Sequence, residues 1–144
     1  MNAKIINTMK LEFDSDSKNE SFARSTVSNF AARLDPTITE LTEIRTAVSE
    51  AVTNCIIHGY RGTKGKITVT VMLYSDRHIK IKIRDNGCGI KDIEKAREPL
   101  YTSDPSGERG GMGFSIMESF TNKMKVTSKE NQGTTVTLMK RLKW

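Results

Sequence analysis

The sequence predicts an α+β fold, a two-layer sandwich in which helices pack on one face of a mixed or antiparallel sheet. Two observations predict it. Apolar residues alternate with polar ones over Ile67–Leu73 and Ile79–Ile83, the period of a half-buried strand, whereas those from Val27 to Cys55 recur at three- and four-residue steps, the period of a helix. The strand-like runs are also joined by short turn sequences. Ser75-Asp76-Arg77 and Asn131-Gln132-Gly133 suit hairpins, and hairpins pair strands antiparallel.

The elements follow in order. Lys4–Phe13 reads as an edge strand. Ser17-Lys18-Asn19-Glu20 has the spacing of a capping box, and Phe22, Val27, Phe30, Ala31 and Leu34 recur behind it at helical spacing until Asp35-Pro36 stops the run. Thr37-Ile38-Thr39-Glu40 is a second such box. The helix it opens carries Leu41, Ile44, Val48, Ala51, Val52 and Cys55 on one stripe, with Gly59 as a stop. The two alternating strands come next, then short helices at Asp92–Arg97 and Phe114–Asn122, and a closing hairpin built on Met124, Val126, Val136 and Leu138. Glu98–Gly113 is rich in Gly, Ser, Pro and charge and too long for a simple turn, which marks it as a functional loop.

Composition narrows the function classes. A chain of 144 residues without repeats or a linker suits one domain over residues 1–144, and 36% hydrophobic with 28% charged residues suits a folded, soluble one. Met1–Lys10 lacks the apolar run of a secretory signal, and the longest apolar stretch, Ala51–Ile57, is too short for a membrane span, so a cytoplasmic location without membrane contact is expected. In that setting Cys55 and Cys88 are expected as free thiols, the first in the core and the second in a loop, with no zinc-site spacing around either. The net charge of +6 favours acidic partners, but the basic residues are dispersed and aromatics make up only 6%, which argues against a nucleic-acid surface.

Four segments carry candidate chemistry. Glu50, Asn54 and His58 stand four residues apart on one side of the second helix. Such a stripe also suits a solvated face, but Ala51–Ile57 is apolar almost all round, so Asn54 is expected in a partly buried setting where its amide needs a partner. Asp85 shares the parity of Ile79, Ile81 and Ile83. It therefore continues the buried stripe and needs a strong donor, either to cap the following turn or to meet a ligand. Gly87 and Gly89 beside it let the backbone approach a ligand closely. Gly107-Glu108-Arg109-Gly110-Gly111-Met112-Gly113 runs straight into a helix, an arrangement that presents N–H groups to an anion, with Arg109 and Lys95 adding charge. It matches neither a Walker A loop nor a dinucleotide fingerprint. Gly133-Thr134-Thr135 opens the last strand and offers hydroxyls.

Taken in this order, Glu50-x-x-x-Asn54, Asp85-x-Gly87-x-Gly89, Gly110-Gly111-Met112-Gly113 and Gly133-Thr134-Thr135 resemble the boxes of the ATP-binding fold shared by histidine kinases, gyrases, a heat-shock chaperone family and mismatch-repair ATPases. Ala47–Asn54 with Ile56–Tyr60, Glu98–Thr102, and Glu108-Arg109 through Met117–Phe120 resemble more narrowly the anti-sigma serine kinases of spore-forming bacteria, from about Asn19 to near the C-terminus. Cys55 stands where that family usually has a small apolar residue, and Gly110 where it has Ser.

The resemblance implies roles by position. Asp85 binds the adenine amino group of ATP or ADP with Gly89 and Thr134 nearby, and Asn54 ligates Mg²⁺. Arg109 and Gly110, Gly111 and Gly113 close over the phosphates. Glu50 orients or deprotonates the substrate serine. The implied substrate is an anti-anti-sigma protein, the implied partner a sporulation sigma factor held by a homodimer, and Arg24 an implied partner contact. A histidine-kinase core needs a phosphoacceptor helix, and neither His58 nor His78 is placed as one. The alternative is a nucleotide-gated sigma-binding module without phosphotransfer, which has no need of Glu50.

Overall fold

The computed structural model describes residues 3–90, 92–97 and 113–143. Five strands form a sheet, β1 (Ile5–Asp14), β2 (Lys66–Tyr74), β3 (His78–Asp85), β4 (Lys123–Lys129) and β5 (Gly133–Arg141), in the order β1-β2-β3-β5-β4. All four pairings are antiparallel, so of the two sheet types the sequence admits, the antiparallel one holds. Strand β3 is central, and its last residue, Asp85, lies between Ile67 of β2 and Thr134 of β5. The edge strand β1 begins one residue later than expected and carries a bulge between Ile5 and Asn7.

Helices α1 (Lys18–Ala31), α2 (Ile38–Asn54), α3 (Ile93–Arg97) and α4 (Gly113–Ser119) complete the layer. The core lies between α1, α2 and α4 and the inner face of the sheet. Ala23, Val27 and Ala31 of α1, Ile44, Val48 and Val52 of α2 and Met117 of α4 pack with Val69, Val71, Ile81, Ile83 and Leu138. Each fully buried Val, Leu or Ile among them contributes about 1.5–3 kcal/mol over its exposed state. The other face of the sheet shows Lys80, Lys82, Arg84, Lys123 and Lys125 among threonines, which is where part of the net positive charge sits. Among the described residues no helix is long and apolar enough to cross a membrane.

Two expectations about α1 fail. Ser17 lies in the helical region (φ −56°, ψ −27°) and makes no capping bond. A cap needs an extended backbone, and Asp16 already accepts the Lys18 N–H at 2.9 Å. Phe22, placed on the apolar stripe from its spacing, is 55% exposed, because Ala23, Val27 and Ala31 define the inward line and Phe22 is a residue off it. On α2, Leu41 is only half-buried, and its neighbour Glu40 is buried instead.

Thr37 does form the capping box, with extended backbone (φ −67°, ψ 163°) and reciprocal bonds to Glu40. The Glu40 carboxylate also accepts the Lys143 N–H at 2.9 Å, tying the C-terminal segment to the start of α2. Burial pushes Glu40 up, but the Thr37 and Lys143 amides outweigh it and hold the carboxyl below the ordinary 4.5. A depressed folded-state pKa means stability present above 4.5 and lost as pH falls through the lower folded value. Glu40→Gln is therefore expected to be less stable than the parent by about 1–2 kcal/mol at pH 7, from loss of charge-assisted bonds. The gap should narrow as pH falls below 4.5 in urea titrations across that range. A gap that stays constant with pH would show that Glu40 acts by shape and not by charge.

Candidate functional site

Helix α2 carries the first part of the site. Glu50 and Asn54 are one turn apart on the same side, both partly buried. After Asn54 the chain does not stop at once. Cys55–Gly59 forms a π-helical turn, closed by the Tyr60 N–H on the Cys55 carbonyl at 2.9 Å. A π turn is wider than an α turn and such insertions cluster at functional sites. His58 lies within this turn, beyond the α-helical segment that carries Glu50 and Asn54. Gly59, expected as the stop, is the last residue of this turn.

The π turn lands on the end of β3. Asp85 is 4% exposed, as its strand parity predicts. Its Oδ1 accepts the Gly87 N–H at 2.9 Å, and the Cys55 thiol and the Thr134 backbone N–H also serve the carboxylate. Burial is the largest influence on Asp85 and pushes its pKa above the usual carboxylate value despite these donors. Cys55 responds the same way: burial first, then the Asp85 charge, push its thiol well above its ordinary range. Cys55 is thus a buried, protonated donor and not a nucleophile.

Glycines make this crossing possible. A Cβ on Gly59 would stand 2.9 Å from Asp85 Oδ2, and one on Gly87 would stand 2.2 Å from the Gly59 carbonyl oxygen. Gly133 has φ +112° and would put a Cβ 2.1 Å from the Asp85 carbonyl oxygen, so it opens β5 at a place no other residue fits. Gly89 lies against the Lys129 carbonyl in the same way. The loop after β3 is tied to the π turn by the Cys88 N–H on the Gly59 carbonyl (2.9 Å) and the Cys88 thiol on the His58 carbonyl (3.2 Å).

On the far side, Thr134 Oγ1 is 2.8 Å from Ser128 Oγ, which also donates to the Gly133 carbonyl and accepts the Ile90 N–H at 2.7 Å. Gly113, the first residue of α4, faces Asn54: a Cβ there would stand 3.0 Å from the Asn54 amide. The structure therefore brings Gly87 and Thr134 to Asp85 and sets Gly113 against Asn54, while Gly89 lies on the backbone at the end of β4. Arg109, Gly110 and Gly111 lie outside the described residues.

Arg24 is set apart on α1. It is partly exposed and pairs with Glu20 at 3.4 Å, and Glu20 in turn accepts the Ser49 hydroxyl beside Glu50. Sequence reasoning missed Tyr60, Ser128 and Glu20. Each acts through a contact remote in sequence, and only the hydroxyl of Ser128 on a strand facing Thr134 offered a signal.

Comparison with known proteins gives the chain a family. Residues 13–140 match the profile of the histidine kinase-like ATPase domain. The chain is 56% identical over 137 residues to a protein of Shouchella clausii named anti-sigma F factor, covering 94% of this chain and 93% of that one. It is 54% identical over 137 residues, with the same coverage, to the Bacillus subtilis protein of that name. To the Clostridium perfringens one it is 52% identical over 136 residues, with 94% and 97% covered. Among solved structures, the RsbU and RsbW domains of a Mycobacterium tuberculosis protein superpose with a TM-score of 0.69 at 20% identity, over 94% of this chain and 32% of that one. A mycobacterial sensor histidine kinase superposes with a TM-score of 0.57 at 15% identity, over 94% and 100%. At these identities the structures speak for the fold alone.

Proposed function

Because the chain belongs to the histidine kinase-like ATPase family, in the branch of the anti-sigma F factors, we propose that it is an anti-sigma factor and protein serine kinase. It binds and inhibits a sporulation sigma factor in the cytoplasm and uses Mg-ATP to phosphorylate an anti-anti-sigma protein on serine. The observation that carries this reading is the buried Asp85 carboxylate, held at the rim of a glycine-lined crossing one π turn from Asn54. A buried acceptor of that kind suits the exocyclic amino group of adenine, with Gly89 and Thr134 beside it.

Asn54 is the residue we assign to Mg²⁺. A single amide oxygen fits a cation that takes few protein ligands and fills its shell with phosphates and water. The absence of a side chain at Gly113 leaves room at that amide. Bound there, Mg²⁺ would neutralise phosphate charge. Arg109, Gly110 and Gly111 are assigned to the phosphates, and Glu50, a turn from Asn54, to the substrate hydroxyl. Residues 1–144 act as one unit in this reading, as a homodimer with Arg24 at the sigma-factor surface.

The test is transfer of label from γ-labelled ATP, with Mg²⁺, to a candidate anti-anti-sigma protein, followed by mapping of the labelled residue. Label on serine is expected. Nucleotide-dependent capture of a sigma factor with no transfer to any such protein would leave a nucleotide-gated binding module and end the kinase assignment.

A further inference from the structure

Tyr60 is a buried member of the core, at 8% exposure, to which the proposed chemistry gives no part. Its position is over-determined. The ring lies against Gly65, where a Cβ would stand 2.2 Å from Tyr60 Cε1, so the backbone of the β2 approach is pressed against it. Its backbone N–H closes the π turn on Cys55, and its carbonyl accepts the Thr63 N–H at 2.9 Å. The phenol oxygen then ties the two segments together just past the last ladder pair of β2 and β3, Ile67 and Asp85. It donates to the Lys66 carbonyl at the start of β2 and accepts the Asn86 N–H at 2.8 Å, immediately after Asp85. Burial pushes the phenol above its ordinary value, so it keeps the proton it donates to Lys66.

From this geometry we infer that Tyr60 is a positioning residue for nucleotide-base recognition, its hydroxyl fixing the backbone at Asn86 so that the Asp85 carboxylate stays aimed at the base. The inference rests on the assignment of Asp85 to adenine. Asp85 is held in the ladder on both sides, by Ile67 and Thr134, and among the donors to its carboxylate is the Gly87 N–H, which belongs to the loop beyond Asn86. That loop is pinned at Asn86 by Tyr60 Oη and at Cys88 by the Gly59 carbonyl. Both of these pins come from Gly59-Tyr60, while further along the loop the Cys88 carbonyl accepts the Asn131 N–H and Ser128 Oγ accepts the Ile90 N–H. Releasing the first lets Asn86 and Gly87 swing about the second, and the orienting bond on Asp85 turns with them.

The experiment compares ATP and GTP affinities by calorimetry for the full-length parent, Tyr60→Phe, Asp85→Asn and Val27→Ala. The last is a core variant on α1, chosen to lose stability without touching the loop. Tyr60→Phe keeps the ring on Gly65 and removes only the oxygen. We expect its preference for ATP over GTP to fall by about tenfold, the scale of one buried bond lost, while Val27→Ala keeps the parental preference at equal or greater loss of melting temperature. Independently of any variant, the Asn86 amide in the parent should exchange slowly with solvent deuterium. Base preference unchanged in Tyr60→Phe while Asp85→Asn loses it, or fast exchange at Asn86, overturns the role of Tyr60 and leaves Asp85 in place. Base preference unchanged in Asp85→Asn overturns both.

Discussion

Asp85→Asn is expected to weaken ATP binding by about a hundredfold, the upper range for a bond to a charged acceptor, and to leave the nucleotide-free protein at least as stable as the parent. The first half follows from chemistry. An adenine amino group needs an acceptor, and an amide that keeps its oxygen on the Gly87 N–H turns its own NH₂ toward the base, donor against donor. The second half follows from electrostatics. Burial raises the Asp85 pKa above 3.8 in the folded protein. A raised carboxyl pKa favours folding below 3.8 and loses that contribution as pH rises through the folded value, so at neutral pH the ionised carboxylate is a net cost to the fold. An uncharged amide removes the cost. Calorimetric affinities and urea midpoints at pH 7 check both halves. A variant that binds ATP normally would take Asp85 out of the site, and one that loses several kcal/mol would show that its hydrogen bonds outweigh its desolvation. A site whose key residue is less stable than its neutral replacement is what function imposes on a fold.

How far such residues are legible in a sequence depends on the range of the force that places them. Asp85 was legible because strand parity is a local rule: a residue two steps beyond Ile83 on a strand must share its face. The Thr37 box was legible for the same reason, since both of its bonds close within three residues. Ser17 has the identical pattern and fails, because Asp16 competes for the same amides and Glu20 is drawn away to Ser49, 29 residues on. That competitor comes from another helix and leaves no mark in the local pattern. The π turn at Cys55–Gly59 is hidden in the same sense. Periodicity shows an apolar helical run there, but the wider turn ends with Gly59 packed against Asp85, a contact with a residue 26 positions on. Tyr60 bridges to Asn86 across 26 residues, and nothing near it in the chain announces that. The antiparallel order of β3, β5 and β4 belongs to this class too, since hairpin turns fix which consecutive strands pair but not where β5 inserts.

Glu50→Gln is expected to lower phosphoryl transfer to the protein substrate by about 10²–10⁴-fold, the usual contribution of a positioned general base, with ATP affinity changed by less than about threefold on the scale where 1.4 kcal/mol is tenfold. The amide is the same size as the carboxylate, so α2 and its packing are unaffected, and Asn54 one turn on keeps its place beside Gly113. What is lost is the ability to take a proton from a serine hydroxyl and to hold it in line with the γ-phosphate. The two readouts separate the roles a carboxylate at this point can have. If transfer and ATP affinity fell together, Glu50 would be serving the cation or the nucleotide. If transfer fell alone, it would be serving the acceptor hydroxyl, as its offset from Asn54 by one turn toward the start of α2 suggests. If neither changed, the chemistry would belong to another residue. Capture of the sigma factor is the internal control. A variant that cannot transfer phosphate but binds ATP should hold the sigma factor as the parent does, and for longer in the presence of the protein substrate, since the reaction that consumes bound ATP no longer runs.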